Sequence, residues 1–405
     1  MSPATLLPAA LRADFPLLKR ESVLGRPLIY LDSAATSLKP RSVIDAVSNV
    51  LSRHTANVHR AVHLLGDEAT EQFEGARYKI ARLIGAESHE VILLRNTTEA
   101  INLVARCYPR RGRVVVSLGE HHSNLLPWGR DGTTHVPPGA DGGPDLNAIQ
   151  RELARGGVSV VAVSQLSNVT GVLTDVASLA KAVHAAGAIL VVDGAQSVPH
   201  LPVDVLELGC DFLAFSSHKM YGPSGVGVLY GKAERLAELD WYLHGGGVVE
   251  EVAAGVPKAR LSPWRFEAGT PAIEGVIGFG AAIDYLQAIG MEQVESHCRH
   301  LNALARKRLL AVPGVRLVGT VNAEEDHTGP ISFTVANMLS HMVARALSDA
   351  WGICVRSGYH CAQPLHEHLR TPPSLRVSFG LYNQPWELDL FFEALDRTLH
   401  HAKRS

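Results

Sequence analysis

Six short runs of this chain are apolar on nearly every residue: Val91–Leu94, Arg113–Ser117, Val158–Ser164, Ala188–Val192, Phe212–Phe215 and Gly227–Tyr230. A strand with one face in water alternates apolar and polar side chains, so continuous runs call for a sheet covered on both faces. Segments of helical period lie between them, clearest at Asp67–Ile84, Thr98–Cys107, Asp145–Arg155 and Asp175–Ala186, the last closed by Gly187. Strands alternating with helices define an α/β class with a mostly parallel sheet. The 405 residues are 46% hydrophobic, enough for a large core and against a disordered chain.

Between Trp241 and Pro263 the pattern gives way to Gly245-Gly246-Gly247, Gly255, Pro257 and Pro263, too long for an ordinary connection and expected to be a functional or interfacial excursion. Residues 273–310 read as long helices. Strands are expected near Ile331–Thr334, Ile353–Val355 and Leu375–Phe379, with helices at Ser340–Ala350 and Pro385–His401, as in a smaller α+β domain. The expected division is a large domain over 26–270 and a small one built from 1–25 and 271–405.

With 38 basic and 40 acidic residues and no basic run, the chain lacks the positive field of a nucleic-acid binder. No apolar stretch approaches the ~18–20 residues of a membrane span, and no basic flank with a long apolar core opens the sequence, so a cytoplasmic location is expected. Five scattered cysteines without a C-x-x-C argue against a disulfide framework or a zinc knuckle.

The run Ala188–Val192 ends in Asp193-Gly194-Ala195-Gln196, which puts a carboxylate at the carboxyl end of a buried strand, where open α/β sheets bind ligands. Such an Asp is often only a turn or cap residue. The next run leads into Ser216-Ser217-His218-Lys219, so an amine and an acid face one crevice. Pyridoxal phosphate needs that pair: an amine to condense with its aldehyde and a buried carboxylate to keep its ring nitrogen protonated. Its phosphate needs donors, and Thr97-Thr98 at a helix start supplies them, whether or not the pair also caps the helix.

These residues, with Tyr30–Ala35, Val58-His59-Arg60, Glu120-His121-His122, Ser167-Asn168-Val169, Arg265–Pro271 and Arg356–Ala362, resemble the motifs of the cysteine desulfurases over about Phe15 to Trp386. These are pyridoxal-phosphate enzymes of the class V aminotransferase group, with the fold type I (aspartate-aminotransferase-like) architecture. The resemblance implies that Lys219 holds the cofactor and shuttles the Cα proton. Asp193 would pair with the ring nitrogen, Gln196 touch the phenolic oxygen, and His121 stack on the ring and assist proton transfer as a catalytic residue. Thr97, Thr98, Ser216 and His218 would hold the phosphate, joined by Thr270 from the second subunit of a homodimer. Asn168, Arg356 and Arg376 would bind the substrate carboxylate, and His59 and Arg60 would line the pocket from the partner chain.

Cys361 would then take sulfur from L-cysteine as a persulfide and leave L-alanine. For that it must be exposed, in a mobile loop beside cationic groups. The short loop from Arg356 to Pro364 fits the subgroup that hands sulfur to a small acceptor protein, as in iron–sulfur cluster biogenesis, and selenocysteine lyase activity is a natural variant. Two alternatives stay open: a related C–S or C–Se lyase, racemase or deaminase in which Cys361 is a bystander, and a catalytically idle assembly partner. Cys107, Cys210, Cys298 and Cys354 read as apolar packing residues.

Other features invite simpler readings. His59 and His63 could share a helix face, but no third ligand completes a zinc site, so no metal is expected. His366/His368 and His400/His401 read as solvated surface, and Gly245–Gly247 as flexible backbone near the dimer interface. Asn96 stands where a Gly is common, Tyr359 where a His is common, segment 129–135 is short, and Ala272-Ile273-Glu274 departs from the family pattern.

Overall fold

The computed structural model describes residues 6–21, 25–129, 131–319 and 328–402. Residues 1–5 and 22–24 of the expected small-domain arm, Arg130 and the side chain of His401 lie outside that set. The centre is a seven-stranded sheet ordered Val91–Leu94, Gly227–Gly231, Phe212–Ser216, Ile189–Asp193, Val158–Ser164, Arg113–Ser117 and Thr133–Val136. Only Gly227–Gly231 runs against its neighbours, which accounts for both antiparallel pairings in the sheet. The expected runs are its strands, within a residue or so at each end. They are buried at nearly every residue, and Ile189–Asp193 and Phe212–Ser216 at all of them, because helices cover both faces, with one core cluster on each side.

The edge strand Thr133–Val136 was not anticipated: its Thr-Thr-His-Val residues leave one face partly open, as an edge position permits. The irregular excursion after Trp241 contains a hairpin, Val249–Ala253 with Val256–Ala259, whose pairing of Ala253 with Val256 leaves a two-residue turn. Ala254 and Gly255 take φ of 50° and 80°, as a tight hairpin turn requires. The hairpin is largely exposed, so its sequence carries no apolar alternation to reveal it.

A second, four-stranded antiparallel sheet is ordered Val315–Leu317, Ile331–Val335, Ser374–Val377 and Arg356–Gly358. Its core, with Phe333, Leu347, Leu375 and Phe391, is a separate cluster shared with helices Ser340–Trp351 and Pro385–Ala402. Helix Ile273–Ile289 instead buries Val276, Phe279 and Ile283 in the core of the large sheet. Among the described residues no helix is long and apolar enough to cross a membrane.

Candidate active site

In a parallel sheet every strand delivers its following loop to the same edge, and here five strand ends converge on one cavity of about 630 Å³. Leu94 leads to Asn96, Thr97 and Thr98, Ser117 to His121, Ser164 to Asn168, Asp193 to Gln196, and Ser216 to His218 and Lys219. The small sheet contributes Arg356, His360, Cys361 and Arg376 from the other side. The helix start at Thr97 comes close because Gly227 faces it: a Cβ there would lie 2.4 Å from Asn96 Cα.

Asp193 is buried, and its Oδ1 accepts from Ala195 N–H at 2.9 Å. Burial raises its pKa, against the pull of that N–H and of Lys219. Lys219 makes no hydrogen bond among the described residues. Burial lowers its amine to about 8, with Asp193 and Cys361 drawing it upward and Arg376 pushing it down. His121 is driven to about 3 by burial and by Lys219, His122 and Arg376, so it is neutral. Its Nδ1 accepts from Ser123 N–H at 3.1 Å, which leaves the ring proton on Nε2.

Thr97 Oγ1 pairs with Ser216 Oγ at 2.6 Å, and Thr98 Oγ1 with Ser123 Oγ at 2.7 Å. Asn96 caps the helix, its side chain accepting from Glu99 N–H at 3.0 Å. Thr97 N–H is taken by Ser216 Oγ at 2.8 Å and Ala100 N–H by Asn96 O at 3.1 Å, so among the described residues Thr98 N–H is the first-turn donor left open at the positive end of the helix. Gln196 Nε2 donates to Ala34 O at 2.8 Å, and its Oε1 is buried without a donor among the described residues. An enclosed carboxylate, an amine and a donorless amide oxygen, with helix-start donors at one end, fit a ring that carries a nitrogen, a phenolic oxygen, an aldehyde and a phosphate.

Arg376 is buried; its Nη1 donates to Asn168 O at 3.1 Å and its Nη2 lies 3.4 Å from Asp32 Oδ1. Arg356, half exposed, lies 3.7 Å from the other Asp32 oxygen. Cys361 is exposed, and its loop is held more firmly than a mobile tether would be. Asn168 Nδ2 donates to His360 O at 2.7 Å, His122 N–H to Cys361 O at 2.7 Å, and Ala362 N–H to Tyr359 O at 2.9 Å. His360 and Cys361 both take positive φ, 51° and 58°, a conformation that costs a residue with a side chain roughly 1–3 kcal/mol and persists only where surroundings enforce it. The remaining cysteines are buried, apart from the half-buried Cys354.

His59, Arg60 and Thr270 do not reach this cavity. They line a second one of about 240 Å³ with Arg260, Trp264 and Glu267. A hydrogen-bonded network built on the buried Arg77 joins the two motifs there: Arg77 bonds Glu267 at 2.6 and 2.9 Å and the partly exposed Glu74 at 2.8 Å, and Glu74 bonds His59 at 2.7 Å. His59 precedes the helix that His63 caps, so the two do not share a helix face.

Sequence reasoning missed several residues. Asp32 lay inside a quoted motif without a role. Glu120, buried and raised to about 7 by burial, fixes the loop before His121 by accepting from Ser164 N–H at 3.0 Å and Asn124 Nδ2 at 2.8 Å. Lys39 donates to His218 O at 2.8 Å. His366, read as surface, is fully buried, because its helix turns that side inward against Ser374; His368 is exposed, as expected.

A buried acid and amine at adjacent strand ends of an open sheet suit a pyridoxal-phosphate enzyme of fold type I, the class to which its family match assigns the chain. The chain belongs to the aminotransferase class-V family, whose pattern matches residues 29–391. It is 43% identical over 396 residues to a protein of Halalkalibacterium halodurans named "Probable cysteine desulfurase", covering 95% of this chain and 96% of that one. The cysteine desulfurase of Pectobacterium atrosepticum is 41% identical over 403 residues, covering 95% and 96%. Among solved structures, the apo cysteine desulfurase of Thermococcus onnurineus superposes with a TM-score of 0.91 at 37% identity, covering 98% of this chain and all of that one.

Proposed function

We propose that the chain is a cysteine desulfurase, converting L-cysteine to L-alanine and moving the sulfur to Cys361 as a persulfide. The observation that carries this is that Cys361, exposed on a pinned loop, lines the same cavity as Lys219, Asp193 and Arg376. When bound, pyridoxal phosphate supplies an aldehyde for an amine and an electron-withdrawing ring that acidifies the substrate Cα–H.

The residues divide the remaining work. Asp193 would keep a proton on the ring nitrogen, and Gln196 and the face of His121 would hold the ring. Thr97, Thr98, Ser216 and His218 would hold the phosphate. Lys219, whose amine titrates near 8, is free base in a useful fraction at neutral pH and takes the Cα proton. Arg376, with Arg356 and Asn168, receives the substrate carboxylate, for which a guanidinium offers two parallel donors. The Cys361 thiolate attacks the substrate sulfur: an S–S bond forms, the C–S bond breaks, and its electron pair stays on the carbon skeleton, which is protonated to alanine.

Two copies complete the site in this reading. His59, Arg60 and Thr270, gathered away from the first cavity, are the portion each subunit of a homodimer lends its partner. The large unit spans 26–270 and the small one the two chain ends, with helix Ile273–Ile289 as a connector packed on the large unit. The pinned loop keeps Cys361 near home, so a small acceptor protein comes to it. The free thiols suit the reducing cytoplasm. Purified protein loaded with pyridoxal phosphate is given L-cysteine with and without Cys361→Ala. Alanine formation that collapses in the variant supports the reading, and alanine formation that survives removes Cys361 from it.

A further inference from the structure

Behind the Cys361 loop lies a chain of hydrogen bonds that neither the cofactor nor the substrate accounts for. His366 Nδ1 lies 3.1 Å from the Ala362 carbonyl, His366 Nε2 lies 3.0 Å from Ser374 Oγ, and the same Oγ lies 3.0 Å from His360 Nε2. All four residues are buried, and His360 also forms part of the cavity wall.

The protons in this chain have one consistent arrangement. A carbonyl only accepts, so His366 carries its proton on Nδ1. Burial lowers the pKa of His366, so it is neutral and its Nε2 is an acceptor. Ser374 therefore donates to His366, and its oxygen accepts from His360 Nε2–H. His360, held neutral by burial beside Arg376, His366 and Arg356, is left with a bare lone pair on Nδ1, which has no partner among the described residues.

The residues it ties together form the seat of the reactive loop. Ala362 follows Cys361, His360 precedes it, and Ser374 pairs with Gly358 across the strand ladder. His360 and Cys361 hold left-handed backbone conformations that side chains disfavour, so something must enforce them. We infer that His360, Ser374 and His366 form a proton-ordered clamp that positions Cys361 for sulfur transfer, which makes Ser374 and His366 positioning residues. This rests on the desulfurase reading of Cys361.

The test compares native holoenzyme with Ser374→Ala and Ser374→Thr, measuring kcat and KM for alanine formation from L-cysteine and the visible band of the bound cofactor. Misplacing a reacting group by about an ångström costs up to roughly a hundredfold in rate. The expected result is a kcat roughly tenfold to a hundredfold lower in Ser374→Ala, with KM and the band unchanged, and recovery in Ser374→Thr, which keeps the hydroxyl. The clamp is overturned if Ser374→Ala keeps native kcat. It is also overturned if kcat, KM and the band fail together without rescue by Thr, since Ser374 then serves general packing. Native holoenzyme that makes no alanine sinks the desulfurase reading and the clamp with it.

Discussion

Asn168 donates its side-chain amide to the carbonyl of His360 at 2.7 Å, while its own carbonyl accepts from Arg376 at 3.1 Å. A single residue, four positions past the strand Val158–Ser164, thereby couples the guanidinium offered to the substrate to the loop that carries the reactive thiol. Replacing Asn168 by Ala leaves the buried His360 carbonyl unpaired, a loss of roughly 1–3 kcal/mol. The expected outcome is a fall of about tenfold or more in kcat for alanine formation, with faster amide hydrogen exchange at 359–362. Native exchange rates in the variant would show that the loop is held by other means.

Arg376 offers a rigid fork, and Lys offers a point charge. With Nη1 and Nη2 already engaged by Asn168 and Asp32, the guanidinium is fixed before substrate arrives. Arg376→Lys is expected to raise KM for L-cysteine by about 10- to 100-fold, from losing a charge-assisted bond of roughly 1.5–3 kcal/mol. Steady-state kinetics against L-cysteine checks this, and an unchanged KM would place the carboxylate elsewhere.

Burial lowers the Lys219 amine to about 8 from the ordinary 10.5. Only the free base attacks an aldehyde, and its fraction grows as pH rises through the pKa. Cofactor loading of apoprotein, followed by the visible band, is expected to accelerate with pH and level off just above about 8. A midpoint near the ordinary lysine value would mean the amine is not enclosed as described.

Thiol labelling is expected to be selective. Cys361 is exposed, while Cys107, Cys210 and Cys298 are buried with thiols pushed upward in pKa by that burial. Brief treatment with iodoacetamide followed by peptide mass spectrometry is expected to modify Cys361 first, Cys354 slowly and the other three only after unfolding.

What the sequence revealed depended on how far apart the interacting residues lie. Asp193 and Lys219 were legible because buried apolar strands run straight into them, and a parallel sheet sends both to one edge. The pairing of Asp32 with Arg376 spans 344 positions, and no local pattern announces it. His366 sits on a short helix whose sequence looks polar; its partner Ser374 is only eight positions on, but it lies beyond the helix at the start of the strand Ser374–Val377, so no helical period points to it. The strand Thr133–Val136 and the exposed hairpin lacked a continuous apolar run, the signal that located the central strands.

The central claim is that sulfur leaves L-cysteine for Cys361. Holoenzyme is incubated with L-cysteine without reductant, and the peptide containing Cys361 is weighed while alanine is measured in the same sample. The account predicts one added sulfur atom on Cys361 and alanine in equal amount to the sulfur released. Alanine without sulfur on Cys361, or sulfur carried by another cysteine, would contradict it.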